Sequence, residues 1–247
     1  MKQIRLSKRL NTIAEMVTDG YRLADIGCDH AWLPVFLVSS GRIPSALAMD
    51  AAPGPLKRAG EHIREYHLQE QIEPRLSDGL EKLEPQEADT IVLSGMGGDL
   101  IIRILSAKPT LISRIPELIL SPQSEVERVR SWLFQRGFVF LDEALVYEED
   151  KWYFIMKVSA QPAQTGSFHR EGTEREQMLF SAFGPVLLTR RDPALLAWLD
   201  WKESVLTGIR DRLKNSGRGD SAAVRLQEIE QQMEAIGQAR IWMKSGV

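Results

Sequence analysis

The sequence predicts an α/β protein: a largely parallel sheet flanked by helices, with an antiparallel last strand, followed by a small α-helical domain ending in a coiled-coil-like hairpin. Three observations carry this reading. From Tyr21 to Gln123, short apolar runs that end at Gly, Asp or Pro alternate with helix-patterned stretches, as strand–helix–strand units require. After Gly137, "FVFLDEALVYEEDKWYFIMKVSA" reads as two strands around an acidic turn at Glu148–Lys151, with no room for a crossover helix. Beyond a polar stretch at 161–172, two heptad-patterned helices close the chain.

The length of 247 residues suits a medium domain plus a smaller one, which we place at 1–160 and 161–247. The first segment is a helix. Leu6, Leu10, Ile13 and Val17 share a face, Ser7 stands where an N-cap belongs, and Gly20 stands where a helix stops. Strands follow at "YRLADIG" (21–27), "SALAMD" (45–50), "EPRLSDG" (73–79), "ADTIVLSGMGG" (88–98) and "ELILSPQ" (117–123). Helical patterning fills Leu56 to Tyr66 and Val126 to Arg136. In the last domain Leu195, Leu199, Lys202, Leu206, Ile209 and Leu213 step alternately by four and three. Ala222, Leu226, Ile229, Met233, Ile236, Arg240 and Met243 do the same across the "NSGRGDS" turn. Lys202 and Arg240 intrude into this seam. The hairpin serves either to stabilise the chain, or to pair with another copy, or to hold a substrate.

Composition narrows the class. The chain is 43% hydrophobic and 26% charged, with a formal net charge of −3. No apolar run approaches the roughly 18–20 residues that span a bilayer, and the charged N-terminus lacks a secretory apolar core. A lone cysteine, Cys28, excludes an intrachain disulfide, and with four scattered histidines it argues against a metal centre. The expectation is a cytoplasmic protein, monomeric, with no metal and no membrane contact. Basic residues cluster only locally, as at Lys2/Arg5/Lys8/Arg9 and Arg190/Arg191, so a nucleic acid would be met by patches rather than by a general basic surface.

The chemistry concentrates at "ADIGCDHAWLP" (24–34), a strand end, an abrupt turn and a helix start. Dinucleotide sites carry a glycine-rich turn there, with a pyrophosphate on the helix N-terminus. Here the turn is Gly27-Cys28-Asp29-His30-Ala31, and Asp29 would repel a phosphate. A cofactor without phosphate and with positive charge suits it: S-adenosylmethionine carries a sulfonium, an ammonium and a carboxylate. Asp25 and Asp29 suit the ammonium end, and the exposed backbone N–H groups suit the carboxylate. Asp50 ends the second strand near the ~20-residue offset at which an acid meets ribose hydroxyls. Asp78, in "SDG" with Gly79, is placed to accept from an adenine amino group. Strand-end aspartates also serve simply as caps of the following helix, but three at successive strand ends make a cofactor pattern. Five parallel units followed by a terminal hairpin is, moreover, the order of a class I methyltransferase, a Rossmann-like sheet.

The fourth strand ends in "LSGMGG" (93–98). Methyltransferases of exocyclic base amines carry an Asn/Asp-Pro-Pro-aromatic tetrapeptide there, which is missing. The glycines either leave space beside the methyl group or simply make a tight strand-to-helix turn. A ring nitrogen with an in-plane lone pair needs alignment more than deprotonation, so a base ring nitrogen fits such a site.

"LSKRL" (6–10), "DIGCDHAWLP" (25–34), "SGMGG" (94–98), "LILSPQ" (118–123), "EEDKWY" (148–153) and "FGPVLL" (183–188) occur in an order that resembles the bacterial tRNA (adenine(22)-N1)-methyltransferases of the TrmK type. The resemblance covers the whole chain. It implies a Rossmann-like catalytic domain, a coiled-coil-like C-terminal domain, S-adenosylmethionine as donor and N1 of a tRNA D-arm adenine as acceptor. Residue by residue it assigns Asp25, Gly27, Cys28, Asp29, His30, Asp50, Asp78, Gly79, Gly95, Met96 and Gly97 to the cofactor. Ser121 stands where this family has a glutamine, while Pro122 and Gln123 match.

The expected mechanism takes the adenine out of its pairing, since N1 lies on the Watson–Crick edge, and transfers the methyl in line. Asp29 is the expected catalytic polar group, or serves the cofactor alone. Arg9 and His30 touch substrate or pin the first helix. Pro122 is a substrate candidate, and Tyr153 and Trp152 stack a base or fill the core. Three other classes stay open on residues alone: a methyltransferase of another RNA, a protein or a small molecule; a dinucleotide oxidoreductase, disfavoured by Asp29; and a non-enzymatic interaction protein acting through the hairpin.

Overall fold

A computed structural model of the chain describes residues 4–161, 173–216 and 220–245. In chain order the elements are α1 (Lys8–Met16), β1 (Leu23–Ile26), α2 (Trp32–Ser39), β2 (Ala46–Asp50), α3 (Pro53–Glu65), β3 (Ile72–Leu76), β4 (Thr90–Ser94), α4 (Gly98–Ala107), α5 (Pro109–Ile112), β5 (Glu117–Ser121), α6 (Val126–Gln135), β6 (Val139–Glu148), β7 (Lys151–Ser159), α7 (Glu174–Phe183), α8 (Pro185–Thr189), α9 (Pro193–Ser216) and α10 (Asp220–Ser245). The chain forms two compact units that divide in the stretch 162–172, outside the described residues. The expected domain boundary at 160/161 lies at the edge of that stretch.

The first unit is the expected α/β sheet. Its seven strands run in the order β3-β2-β1-β4-β5-β7-β6, and β1 to β5 are mutually parallel. β7 inserts antiparallel between β5 and β6, pairing Leu118 with Val158 and Leu120 with Met156. The hairpin turn places Glu149 and Asp150 at φ 49° and 58°. Two consecutive left-handed residues match the twist of a tight β-hairpin. β1, β4 and β5 are buried along their whole length except Ser94, as strands covered on both faces must be. The exposed edge at β3 carries Pro74 and the Arg75–Glu73–Glu87 charge cluster, which blunt further strand addition.

α1 is held at both ends, and this decides where Arg9 points. Ser7 caps it by accepting from the Leu10 N–H at 3.2 Å, as its sequence position predicts. The Glu148 carboxylate at the hairpin tip accepts from the Lys8 and Arg9 backbone N–H groups. At the far end the Arg42 guanidinium donates to the carbonyls of Ala14 and Val17, both at 2.9 Å. The helix stops at Val17, which turns extended three residues before Gly20. Glu117, buried at the start of β5, then accepts from the Thr18 N–H and hydroxyl, the Thr90 hydroxyl and the Lys157 ammonium. A buried carboxylate with that many donors is satisfied rather than strained, and it locks the α1 exit to the sheet. A second buried pair, Arg130 on α6 with Glu143 on β6 at 3.0 Å, ties the hairpin to the adjacent helix.

The helical unit pairs α9 with α10 in the expected hairpin. Leu195, Leu199, Leu206, Ile229, Ile236 and Met243 are buried from the heptad positions. Arg240 enters the seam as predicted, and its charge is met by Asp200 at 2.7 Å and Glu203 at 2.9 Å. Among the described residues no helix is long and apolar enough to cross a membrane.

Candidate active site

The strand order reverses between β1 and β4, and a cleft at the C-terminal ends of strands on either side of such a switch is where this architecture binds ligands. Four turns converge there: Gly27–Ala31 after β1, Ala51–Ala52 after β2, Ser77–Gly79 after β3 and Gly95–Gly97 after β4. The turn after β5, Pro122–Glu125, borders the last of these.

The first turn is unusual in its backbone. Gly27, Asp29 and Ala31 have φ of 75°, 48° and 55°, and the left-handed region disfavours the two non-glycine residues. The N–H groups of Gly27 and Cys28 both donate to the Met49 carbonyl on β2, at 2.8 and 3.1 Å. Ala31 caps α2 without a side-chain acceptor, so the first N–H groups of the helix remain for a ligand carboxylate. A Cβ on Gly27 would lie 3.1 Å from the Met96 methyl. That contact brings the β1 and β4 turns together across the switch point, as their shared assignment to one cofactor requires.

Asp25 is buried at the end of β1, and its carboxylate meets no hydrogen-bond donor among the described residues. Loss of hydration, then the negative charge of Asp50, push it up to about 7, against a downward pull from the Arg9 cation. A buried carboxyl held without a donor matches an incoming ammonium. Asp50 does two jobs at once: one oxygen accepts from the Ala52 N–H in the turn before α3 at 2.9 Å, and the other accepts from the Asp29 N–H at 3.4 Å. Cys28 is buried, and desolvation with the neighbouring Asp25 and Asp50 charges drives its thiol far up, so it supplies no thiolate. Asp78 is exposed beside Gly79, whose φ of 52° and 3.0 Å approach to Ile104 leave no room for a side chain.

Asp29, expected as the catalytic polar group or as a cofactor contact, has its side chain paired with α3. Its carboxylate is 65% exposed and pairs with Arg58 of α3 at 3.2 Å. The same guanidinium donates through Nε to His30 Nε2 at 3.2 Å. Both side chains therefore face α3 on the Asp50 side. At the β4 turn the cation is Arg9, beside Gly95. A Cβ on Gly95 would lie 3.5 Å from Arg9 Nη1 and 3.8 Å from the Gln123 amide. The Arg9 guanidinium lies over the Tyr153 ring, 5.0 Å from its centroid, and its Nη1 is buried without a hydrogen-bond partner. "LSKRL" and "EEDKWY", far apart in the chain, are thus one device: Glu148 holds the helix and Tyr153 holds the arginine that it carries. Trp152 packs on Tyr147 instead, at 4.8 Å. Pro122 and Ser121 are buried, Ser121 with an unpartnered hydroxyl, and Gln123 is the exposed residue of that turn.

The glycines of "SGMGG" divide between the two readings. Gly95 requires its φ of 79° and faces Arg9. Gly97 and Gly98 open no space, because the β5–α6 loop fills it: a Cβ on Gly98 would come within 2.8 Å of the Ser124 carbonyl and of Val129. Its N–H donates to Ser124 O at 3.2 Å and to Glu125 Oε2 at 3.1 Å. Gly98→Ala is therefore expected to destabilise the protein by about 1–3 kcal/mol through overpacking, read as a lowered melting temperature, whereas Gly54→Ala, with only a flexible arginine tip at 3.9 Å, is expected to leave it nearly unchanged.

Two residues of α3 that the sequence did not single out belong to this site, Arg58 and His62. They stand one helical turn apart, so they share a face of a helix that the apolar pattern alone identifies. Among the described residues no cluster of three or more His, Cys, Asp or Glu is arranged to hold a metal.

Strand order with an antiparallel seventh strand and acids at three successive strand ends are those of a class I methyltransferase catalytic domain, and residues 6–156 match the family model described as "Methyltransferase domain". The Bacillus subtilis tRNA (adenine(22)-N(1))-methyltransferase is 36% identical over 160 residues, which are 65% of this chain and 67% of that protein. The crystal structure of the B. subtilis m1A22 tRNA methyltransferase TrmK superposes with a TM-score of 0.81 at 28% identity, covering 96% of this chain and 99% of that one. Streptococcus pneumoniae Sp1610, solved in complex with S-adenosyl-L-methionine, gives 0.80 at 28% identity over 95% of this chain and 99% of that one. The chain belongs to this methyltransferase family, and within it to the tRNA (adenine(22)-N1)-methyltransferases.

Proposed function

We propose that the protein transfers a methyl group from S-adenosylmethionine to N1 of adenine 22 in the D-arm of tRNA. The observation that carries this reading is a pair of buried polar groups at the switch point: the Asp25 carboxyl, which meets no donor, and the Arg9 Nη1, which meets no acceptor among the described residues and whose charge reaches Asp25. The first suits a cationic donor molecule and the second an acceptor-rich base.

Asp25 would hold the ammonium of the cofactor and the free N–H groups of the α2 N-terminus its carboxylate, with Gly27, Cys28, Asp29 and His30 forming the turn around that end; Asp50 would hold the ribose hydroxyls, and Asp78 with Gly79 the adenine. Gly95, Met96 and Gly97 would line the end at which transfer occurs. The bound cofactor supplies an electrophilic methyl carbon on sulfur. No residue of the chain needs to act as a base beforehand, because N1 already presents its lone pair. The chain's task is alignment and exclusion of water. Tyr153 offers an aromatic face and Arg9 a donor to the everted base, with Pro122 and Gln123 bordering it. The N1–carbon bond forms as the carbon–sulfur bond breaks, and the exocyclic amine proton leaves to water. Asp29, paired with Arg58, acts through the cofactor. We assign 1–160 to catalysis and 161–247 to the helical domain, and place the enzyme in the cytoplasm as a monomer without metal.

The test is transfer of label from S-[methyl-³H]adenosylmethionine to unmodified tRNA, followed by nucleoside analysis. The expected product is 1-methyladenosine, absent when adenine 22 is replaced by guanine. Label in another nucleoside, or in protein or small molecules only, would overturn the assignment.

A further inference from the structure

The cofactor turn has two non-glycine residues, Asp29 and Ala31, in left-handed backbone. Such conformations persist only where the surroundings impose them. β2 holds the turn through the Met49 carbonyl as far as Cys28 and through the Asp50 carboxylate at the Asp29 N–H, 3.4 Å away. The backbone beyond Asp29 is held from elsewhere.

That hold comes from His62 on α3. Its Nδ1 lies 2.9 Å from the His30 carbonyl oxygen. A carbonyl only accepts, so Nδ1 carries the hydrogen and the tautomer is set. In the neutral ring the other nitrogen, Nε2, is then an acceptor, and it is buried with no partner. The ring is wedged between Trp32, the first residue of α2, at 4.0 Å and Tyr66 at 5.0 Å, both edge-to-face. An apolar ring would fill this slot equally well and would bury no unpaired nitrogen. Among the described residues the one polar contact of the His62 side chain is the one to the turn.

That contact acts on a peptide plane. The 30–31 peptide donates its N–H to the Cys28 carbonyl at 2.8 Å and receives His62 on its oxygen. With both ends held, the plane cannot rotate, Ala31 stays left-handed, and the free N–H groups of α2 stay aimed into the cleft.

We propose that His62 is a positioning residue for cofactor binding: through the His30 carbonyl it holds the Asp29–Ala31 segment in the strained conformation that presents the α2 N-terminus. The proposal rests on the cofactor assignment but not on the identity of the acceptor.

Three substitutions separate positioning from packing. Asparagine places an amide N–H where histidine has Nδ1, whereas glutamine places it at the Nε2 position, and phenylalanine keeps the ring alone. S-adenosylmethionine affinity is measured by calorimetry without tRNA, KM and kcat with tRNA, and melting temperature on the same samples. His62→Gln and His62→Phe are expected to weaken cofactor binding about tenfold, with KM rising in step and kcat at saturation within twofold. His62→Asn is expected to restore affinity to within threefold of the parent, although it packs worst. If His62→Asn binds as poorly as His62→Gln, or if affinity simply follows melting temperature across the three, the proposal is overturned. Should the phenylalanine variant fail to fold, the asparagine–glutamine comparison decides alone. Failure of the unaltered protein to bind the cofactor would instead sink the cofactor assignment, which separates the two.

Discussion

Replacing Asp25 by asparagine is expected to abolish methyl transfer while making the cofactor-free protein more stable above pH 7. Burial and the Asp50 charge raise this carboxyl from its ordinary 3.8 to about 7. The folded chain therefore holds a proton that the unfolded chain has lost across that window, so stability falls as pH rises from about 4 to 7 and the whole penalty is present above it. At about 1.4 kcal/mol per pH unit the upper bound is roughly 4 kcal/mol, and asparagine removes it without changing shape. The expected readout is a melting temperature raised by several degrees at pH 8, the gain shrinking toward pH 5. Binding moves the opposite way. An ammonium recruits the ionised carboxylate, so parent affinity should rise roughly tenfold between pH 6 and 8 as the ionised fraction grows from about a tenth to nine tenths. The variant should bind weakly at every pH. An asparagine variant less stable than the parent at pH 8 would refute the account of a buried, unpaired charge.

Arg9→Ala is expected to lower kcat/KM for tRNA about 30- to 150-fold, the equivalent of about 2–3 kcal/mol for a charged hydrogen bond, with cofactor affinity at pH 8 within threefold. Folding should survive, because Glu148 holds α1 through backbone N–H groups that alanine keeps. Arg9→Lys should recover little, since a lysine cannot both lie flat on Tyr153 and present a second N–H beside Gly95. A loss confined to cofactor affinity, or less than threefold in kcat/KM, would remove Arg9 from the acceptor side.

The cofactor half of the site was legible because each of its parts is local. A strand end, a turn and the acid beside them lie within a few residues, so Asp25, Asp50 and Asp78 announce themselves by position alone. The acceptor half was not. Arg9 and Tyr153 were only candidates among several, since nothing near either in the chain says that the first helix returns over the last strand. Asp29 reads equally as a catalytic group or as a cofactor contact, because its local context shows a charge in a turn and is silent about Arg58, three elements further on, which pairs with it. Likewise "GMGG" reads equally as open space or as a tight turn until the β5–α6 loop is seen filling the space at Gly97 and Gly98.

Alternation of apolar runs with helical faces, the missing crossover before β7 and the heptads after 193 determined the architecture, because these patterns record which face of each element is buried, and burial drives folding. Tertiary structure alone decided three things: that Glu148 of the hairpin and Glu117 of β5 hold the two ends of α1, that Arg9 ends half-buried against Tyr153 and Gly95, and that His62 reaches the His30 carbonyl. Each is a contact between residues that neither share an element nor repeat with its period, and hydrogen bonds and ion pairs of that kind are set by where packed elements come to rest rather than by the pattern that packs them.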